Sequence, residues 1–456
     1  MAAPALKPRD SSRLAWFLLG LSLLGAAAML YFHLALLMPR VRGIAAKENL
    51  SGPYSFGNDF YPIWLSALER PRDLYGPDMT RDIQLGLFGR PLDPSIPTDP
   101  PADYRTYAYP AFTQLLCWPT AAIPFPTLRI LLAIGLAIIT LFSVLMWARL
   151  LAFRPGPVWI AVVLVLTFSS YPVIEGLYAD QMGLFVGFVL AASLFALSRE
   201  RYLVAGILIA LTLVKPQMTM LEIGFLMLWT LHNWRIRKWF AIGLVFMTGV
   251  LVASALIVWP HWIQSWLHVL SGYHRYARPP LVKIVLATPL GPRLFDIAGA
   301  ILVGGSVLIA VALIRRHRAA PANSFEFWLT SALLLGITTV ALLPGQAVHD
   351  HVILIPALFL IATTQSALAS NRARKAVFTL FLAVFAWPWI ADIALLTLRP
   401  FLSARIFYSK TVFLLPLHAA ALFPFTVLAL LVLIYRAHGE MRRTSPAAFE
   451  LEMRPS

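Results

Sequence analysis

The sequence predicts an all-α, polytopic integral membrane protein, a single helix bundle with about twelve transmembrane helices and a long extracytoplasmic first loop. Three observations lead there. Hydrophobic residues make up 59% of the 456 residues and charged ones only 13%, a balance that excludes a set of water-soluble domains. Apolar runs long enough to cross a bilayer recur along the chain. The Lys and Arg residues between those runs collect on one side if each run crosses once.

The first run, 14–37, follows Lys7, Arg9 and Arg13, as expected of a retained anchor that starts in the cytoplasm. The others are 130–148, 158–174, 181–198, 202–214, 217–231, 239–259, 294–314, 327–343, 348–365, 376–398 and 411–435. With these crossings, Arg149/Arg154, Arg199/Arg201, Arg235/Arg237/Lys238, Arg315/Arg316/Arg318, Arg372/Arg374/Lys375 and Arg436/Arg442/Arg443 all lie on the amino-terminal side. The opposite short loops, 175–180 and 344–350, contain no Lys or Arg. Both termini are therefore expected in the cytoplasm of a bacterial inner membrane, with 436–456 as a solvated tail. Residues 110–127 are apolar but carry Pro110, Pro119, Pro124 and Pro126, and counting them as a span would invert the charge rule. They are expected to be re-entrant or confined to the outer leaflet, a short true span being the alternative. The runs 202–214 and 217–231 meet at Lys215-Pro216, which suggests tilted or broken helices.

The formal charge of +16 would suggest a polyanion partner in a soluble protein. In a membrane protein it is apportioned first between the two sides of the bilayer, and no nucleic-acid partner is expected. The single cysteine, Cys117, excludes an internal disulfide and any multi-cysteine metal site.

Polar chemistry is concentrated in residues 38–109, which hold nine of the 21 acids and are too interrupted by Pro and Gly for an independent domain. This loop is expected to fold onto the outer mouth of the bundle. Asp59, in Phe56-Gly57-Asn58-Asp59-Phe60-Tyr61, is either a general base that takes the proton of an incoming sugar hydroxyl or part of an Asx turn. Asp73 has similar neighbours, and its spacing to Gly76 also suits a turn. The 260–293 segment interleaves His261, His268, His274, Arg275, Arg278, Lys283 and Arg293 with aromatic residues. Arg275, Arg278 and Lys283 suit a phosphate on the outer face or general headgroup contact. The histidines are too irregularly spaced for zinc. His349-Asp350-His351 is a candidate site at a membrane boundary, or a solvated loop before a helix. Lys215 is a candidate counter-charge for phosphate, and Glu175, Asp180 and Gln181 either bind sugar hydroxyls or cap a helix.

An outer carboxylate with outer basic groups around an apolar bundle suits transfer of a sugar from a lipid-linked phosphate donor. A lipid-linked glycan polymerase or ligase would share the basic groups without depending on Asp59. A transporter or flippase of lipid-linked sugars would show internal repeats and sensitive residues near mid-membrane.

Gly57-Asn58-Asp59-Phe60-Tyr61, Leu74-Tyr75, Tyr107-Ala108-Tyr109-Pro110-Ala111-Phe112, Asp180-Gln181-Met182-Gly183, Leu213-Val214-Lys215-Pro216 and Pro344 with His349 occur in this order. In this order and topology they resemble glycosyltransferase family 87, the polyprenol-phosphate-sugar-dependent enzymes of GT-C architecture formerly classed as a domain of unknown function. The resemblance runs from the first helix to about residue 365. It implies Asp59 as general base, Lys215 near the donor phosphate and His349 close to the reaction centre. Tyr75 and Tyr109, within the matching motifs, join Asp73, Asp180, Gln181 and His351 as candidate sugar or acceptor contacts. The implied reaction inverts the anomeric centre and transfers a mannose-like hexose or a pentose from a polyprenyl-phosphate donor to a glycan or glycolipid hydroxyl among the membrane lipids. No metal or other cofactor is expected, because the phosphate leaving group is already competent. The family commonly has Gly-Gln with Asn two residues later, where this chain has Asp180-Gln181-Met182-Gly183, and Ser-Trp before the late histidine, where it has Ala347-Val348. These departures leave the sugar open.

Overall fold

The computed structural model describes residues 8–444 apart from 55–58, 71–72, 366–367 and 369–370, and leaves out the side chains of 8–12, 274 and 441–444. Gly57, Asn58, Arg72, the His274 side chain and the tail after 444 thus lie outside the described residues. Among the described residues the chain is all-helical, with no strand and one isolated bridge between Pro280 and Pro344.

Each of the twelve apolar runs contains helix, but the helices are of two kinds. Six are long and apolar enough to cross a membrane: Arg13–Lys47, Phe125–Leu150, Trp234–Val258, Pro292–His317, Arg372–Phe401 and Phe423–Glu440. Pro157–Phe168 and Tyr171–Tyr178, bent by 57° at the break before Pro172, make a seventh if taken as one span. The other runs form shorter helices: Met182–Ser198, Tyr202–Val214, Met220–His232, Phe325–Ala341 and Val348–Thr363. The expected twelve crossings thus become six or seven helices that meet the length requirement, plus five shorter ones.

Burial explains the division. The long helices expose large apolar side chains such as Phe17, Ile130, Val245, Ile301 and Leu308, as a lipid-facing surface does. Every residue of Phe325–Ala341 from Phe327 onward is buried, and so is most of Met182–Ser198. Close backbone approach joins the short helix Tyr202–Val214 to the long helix Trp234–Val258. A methyl group on Gly206 would stand 2.1 Å from the Phe240 carbonyl oxygen, and one on Gly243 would stand 2.3 Å from that of Leu203.

The 110–127 segment forms a helix of seven residues, Ala111–Cys117, continued by a 3-10 turn through Ala122. At about 1.5 Å per residue it is too short to cross the hydrocarbon, which favours the re-entrant or interfacial reading. The preceding loop contributes two helices, Tyr61–Glu69 and Pro77–Phe88. Ile63, Leu74, Ile83 and Tyr107 from this region are buried in the same apolar cluster as Phe125, Leu128 and Val173. The loop is therefore packed against the bundle and fixes the position of Asp59.

Candidate active site

Asp59 stands just before the helix Tyr61–Glu69, and its backbone N–H donates to the Ala179 carbonyl at 2.9 Å. Arg105 donates to one oxygen of its carboxylate and the Gln181 amide to the other. Gln181 follows a left-handed residue, Asp180 at φ 51°, a backbone turn that acidic side chains tolerate. Arg105 is itself left-handed at φ 60°, a conformation that costs a long side chain more. Both partners of Asp59 are thus held at or beside tight, non-glycine turns.

From Gln181 the polar chain continues. Its amide oxygen accepts from Lys215 Nζ at 3.1 Å, and Lys215 also donates to Asp350 at 2.7 Å. Asp350 Oδ1 is 3.6 Å from His349 Nε2, and His349 Nδ1 is 3.8 Å from Glu175. Five segments distant in sequence therefore meet in one line: Arg105, Asp59, Gln181, Lys215, Asp350, His349 and Glu175. Gln181, Lys215 and Asp350 are all buried, so each charge must be compensated from within.

Local sequence explains the placement. Pro216 has no N–H to donate, and the helix breaks into two short 3-10 turns, Thr212–Val214 and Pro216–Met218, with Lys215 at φ −136° between them. The break turns the lysine inward instead of along a helix face. Gly183 makes room for Asp350: a Cβ there would lie 2.3 Å from its Oδ1.

Burial pushes the Asp59 carboxyl up, but Arg105, His349 and Lys215 together outweigh it and hold the group below the ordinary aspartate range. The carboxylate is thus ionised at neutral pH. The phenols of Tyr109 and Tyr273 are pushed up by burial and then by the nearby carboxylates, so they remain hydrogen-bond donors. Tyr75 donates to the Tyr109 carbonyl at 2.9 Å and supports that loop from behind.

The sequence-predicted residues divide. Asp59, Gln181, Lys215 and His349 belong to the line, and Tyr109 stands beside it. Asp73 does not reach it; its carboxylate accepts from the Tyr75 N–H at 3.0 Å and closes the turn toward Gly76. Arg275 pairs with Asp103 at 2.5 Å, and Lys283 pairs with the exposed Asp296 at 2.6 Å. Arg278 is exposed, and its backbone N–H donates to Gln346 at 2.6 Å. Asp180 has no hydrogen bond to the line, and Arg129 Nε lies 3.9 Å from its carboxylate. His351 is buried and faces an apolar groove shared with Tyr171, Trp389 and Phe423. Sequence reading missed Arg105 and left Asp350 open between a site residue and a solvated residue before a helix, and the structure pairs it with Lys215. Among the described residues, no three His, Cys, Asp or Glu side chains converge as a metal site.

The family model of glycosyltransferase family 87 matches residues 107–344, just over half of the chain. The chain belongs to glycosyltransferase family 87. Membership makes it a glycosyltransferase with a donor and an acceptor substrate, and its long apolar helices make it a membrane protein. The matched region includes Tyr109, Gln181 and Lys215, while Asp59 and His349 flank it on either side. No curated protein and no solved structure matches the chain.

Proposed function

We propose that this family 87 member is an inverting transferase of GT-C type that moves a hexose or pentose from a polyprenyl-phosphate donor to a hydroxyl of an envelope glycan or glycolipid. The reaction takes place on the extracytoplasmic face of a bacterial inner membrane. The observation that carries this reading is the connected line from Asp59 to His349. An ionised carboxylate stands at one end, and Lys215 and His349 stand further along, so base and phosphate-neutralising groups are held in one rigid frame.

In the step, the Asp59 carboxylate takes the proton of the acceptor hydroxyl. The hydroxyl oxygen bonds to the anomeric carbon as the bond from that carbon to the phosphate oxygen breaks, and polyprenyl phosphate leaves with the electron pair. Inversion follows from attack on the face opposite the leaving group. Lys215, now held by Gln181 and Asp350, and His349 offset the charge on the departing phosphate. Arg105 keeps the carboxylate oriented and ionised between turnovers. The apolar groove beside His351, with Tyr171, Phe385, Trp389 and Phe423 in its walls, supports an approach of the prenyl chain from the lipid to the His349 end of the line.

The test is transfer by purified protein in lipid nanodiscs, with a panel of polyprenyl-phosphate sugars and an envelope-lipid extract. Asp59→Asn is expected to lower turnover by about 10²–10⁴-fold, the range of a lost general base, while remaining folded. Equal turnover by both proteins would sink the assignment of Asp59. Movement of lipid-linked sugar with no new glycosidic bond would favour a flippase.

A further inference from the structure

A second cavity lies between the first helix, the start of Phe125–Leu150 and the bent pair 157–178, with Tyr54 and Asp180 also in its lining. It holds about 640 Å³ of open space. Its outer wall includes Leu34, Ile130 and Ile134, which are exposed on the lipid-facing surface, so the cavity opens sideways toward the hydrocarbon. Its polar end has a different character. Arg129 lines it, half-buried, and lies over the Tyr178 ring at 5.3 Å; Arg42 donates to the Tyr178 hydroxyl at 3.1 Å from the rim. Asp180 also lines it, 1% exposed, with neither carboxylate oxygen hydrogen-bonded and Arg129 Nε beyond bonding range at 3.9 Å. A buried carboxyl left without a hydrogen bond costs free energy unless a ligand completes it.

We propose that this groove seats the acceptor as a membrane-anchored amphiphile: its apolar chain lies along Leu34, Ile130 and Ile134, its anionic headgroup meets Arg129, and a hydroxyl reaches Asp180. The proposal rests on the transferase reading and adds the acceptor's chemical class. Three features favour the acceptor over a bystander lipid. A lateral apolar opening fits a chain, and the arginine that lines its polar end fits a phosphodiester or carboxylate. The polar end is also adjacent to the base: Ala179 holds the Asp59 backbone at 2.9 Å, and Gln181 holds its carboxylate. The two neighbours of Asp180 thus both grip Asp59. An amphiphile seated here lies against Ile174, Leu177 and Tyr178 of the helix Tyr171–Tyr178, whereas the groove beside His351 is lined by Tyr171, Pro172 and Val173 of the same helix. Two lipid-borne substrates can then approach one centre without sharing a path.

The experiment uses full-length protein and the variants Arg129→Gln, Arg129→Lys and Ala133→Trp, the last placing bulk in the groove. In the first arm, native mass spectrometry measures retention of phosphatidylglycerol, which carries a phosphodiester and free hydroxyls, against phosphatidylcholine. Wild type and Arg129→Lys are expected to prefer phosphatidylglycerol. Arg129→Gln and Ala133→Trp are expected to lose that preference at least tenfold. In the second arm, transfer is measured against the concentrations of donor and of envelope-lipid extract. The same two variants are expected to need about tenfold more extract, with the donor requirement unchanged. A raised donor requirement would give the groove to the donor and overturn the proposal, as would variants indistinguishable from wild type in both arms. If no donor yields product, the transferase reading fails, and the acceptor assignment falls with it. The first arm still decides whether the groove binds an anionic amphiphile.

Discussion

At the scale of single residues, the site shows how a bilayer-embedded protein makes buried charge tolerable. Lys215 is buried, yet it gives hydrogen bonds to Gln181 and Asp350, so neither the ammonium nor the carboxylate is left uncompensated. Asp180 is less fully compensated, with neither carboxylate oxygen hydrogen-bonded. Burial, offset in part by Arg129 and reinforced by Asp59, lifts its carboxyl to about 7 from an ordinary 3.8. The folded chain therefore keeps the Asp180 proton over a window in which the unfolded chain has released it. Stability falls as pH rises through that window and levels off above it. Asp180→Asn removes the dependence, so its thermal midpoint relative to wild type should improve from pH 5 to pH 7.5. The gain should be up to about 2 kcal/mol, read from thermal unfolding in detergent at each pH. An unchanged difference between the two proteins across that range would mean that Asp180 is ionised in the fold at both pH values.

At the scale of elements, chain breaks do more for the site than regular helix does. Lys215 sits between two 3-10 turns, His349 and Asp350 sit on a 3-10 turn before Ile355–Thr363, and Asp180 and Gln181 sit between two helices. A continuous helix satisfies its own backbone and sends side chains outward along its faces. A break lets two or three side chains from one segment converge. Pro216→Ala supplies the missing N–H and favours helical continuation through Lys215. It is expected to lower transfer by ten- to about a hundredfold, the order associated with a shift of ~1 Å at a reacting centre, while elution on gel filtration stays unchanged. Full activity in that variant would show that packing around Lys215, and not the proline, sets the break.

At the scale of the whole molecule, the long helices carry much of the exposed apolar surface, three of the five shorter helices are largely buried, and the 38–109 loop packs against the bundle beside the site. Under the proposed topology that end lies outside. In a Cys117→Ser background, Ser95→Cys on the exposed part of the loop should react with a membrane-impermeant maleimide in intact cells. Arg199→Cys, exposed after Met182–Ser198, should react only once the cells are opened. The reverse pattern would put the site in the cytoplasm and remove the case for a donor used on the outer face.

The sequence by itself determined the helical membrane character and the position of each apolar run, because hydropathy and span length are local properties of a segment. It also singled out Asp59, Lys215 and His349, since ionisable residues at a membrane boundary are costly and few, and they fell within motifs shared with a family. Only the tertiary structure decided which polar groups meet. Arg105 lies 46 residues from Asp59, and Lys215 lies 135 from Asp350; no spacing rule of helix or strand connects residues so far apart. The structure likewise turned Asp73 into a turn residue and sent Arg275 and Lys283 to partners outside the line, although their sequence neighbourhoods resemble those of the site. It also separated five shorter helices, three of them largely buried, from the six long ones, because that distinction depends on what each helix packs against, which hydropathy along the chain does not encode.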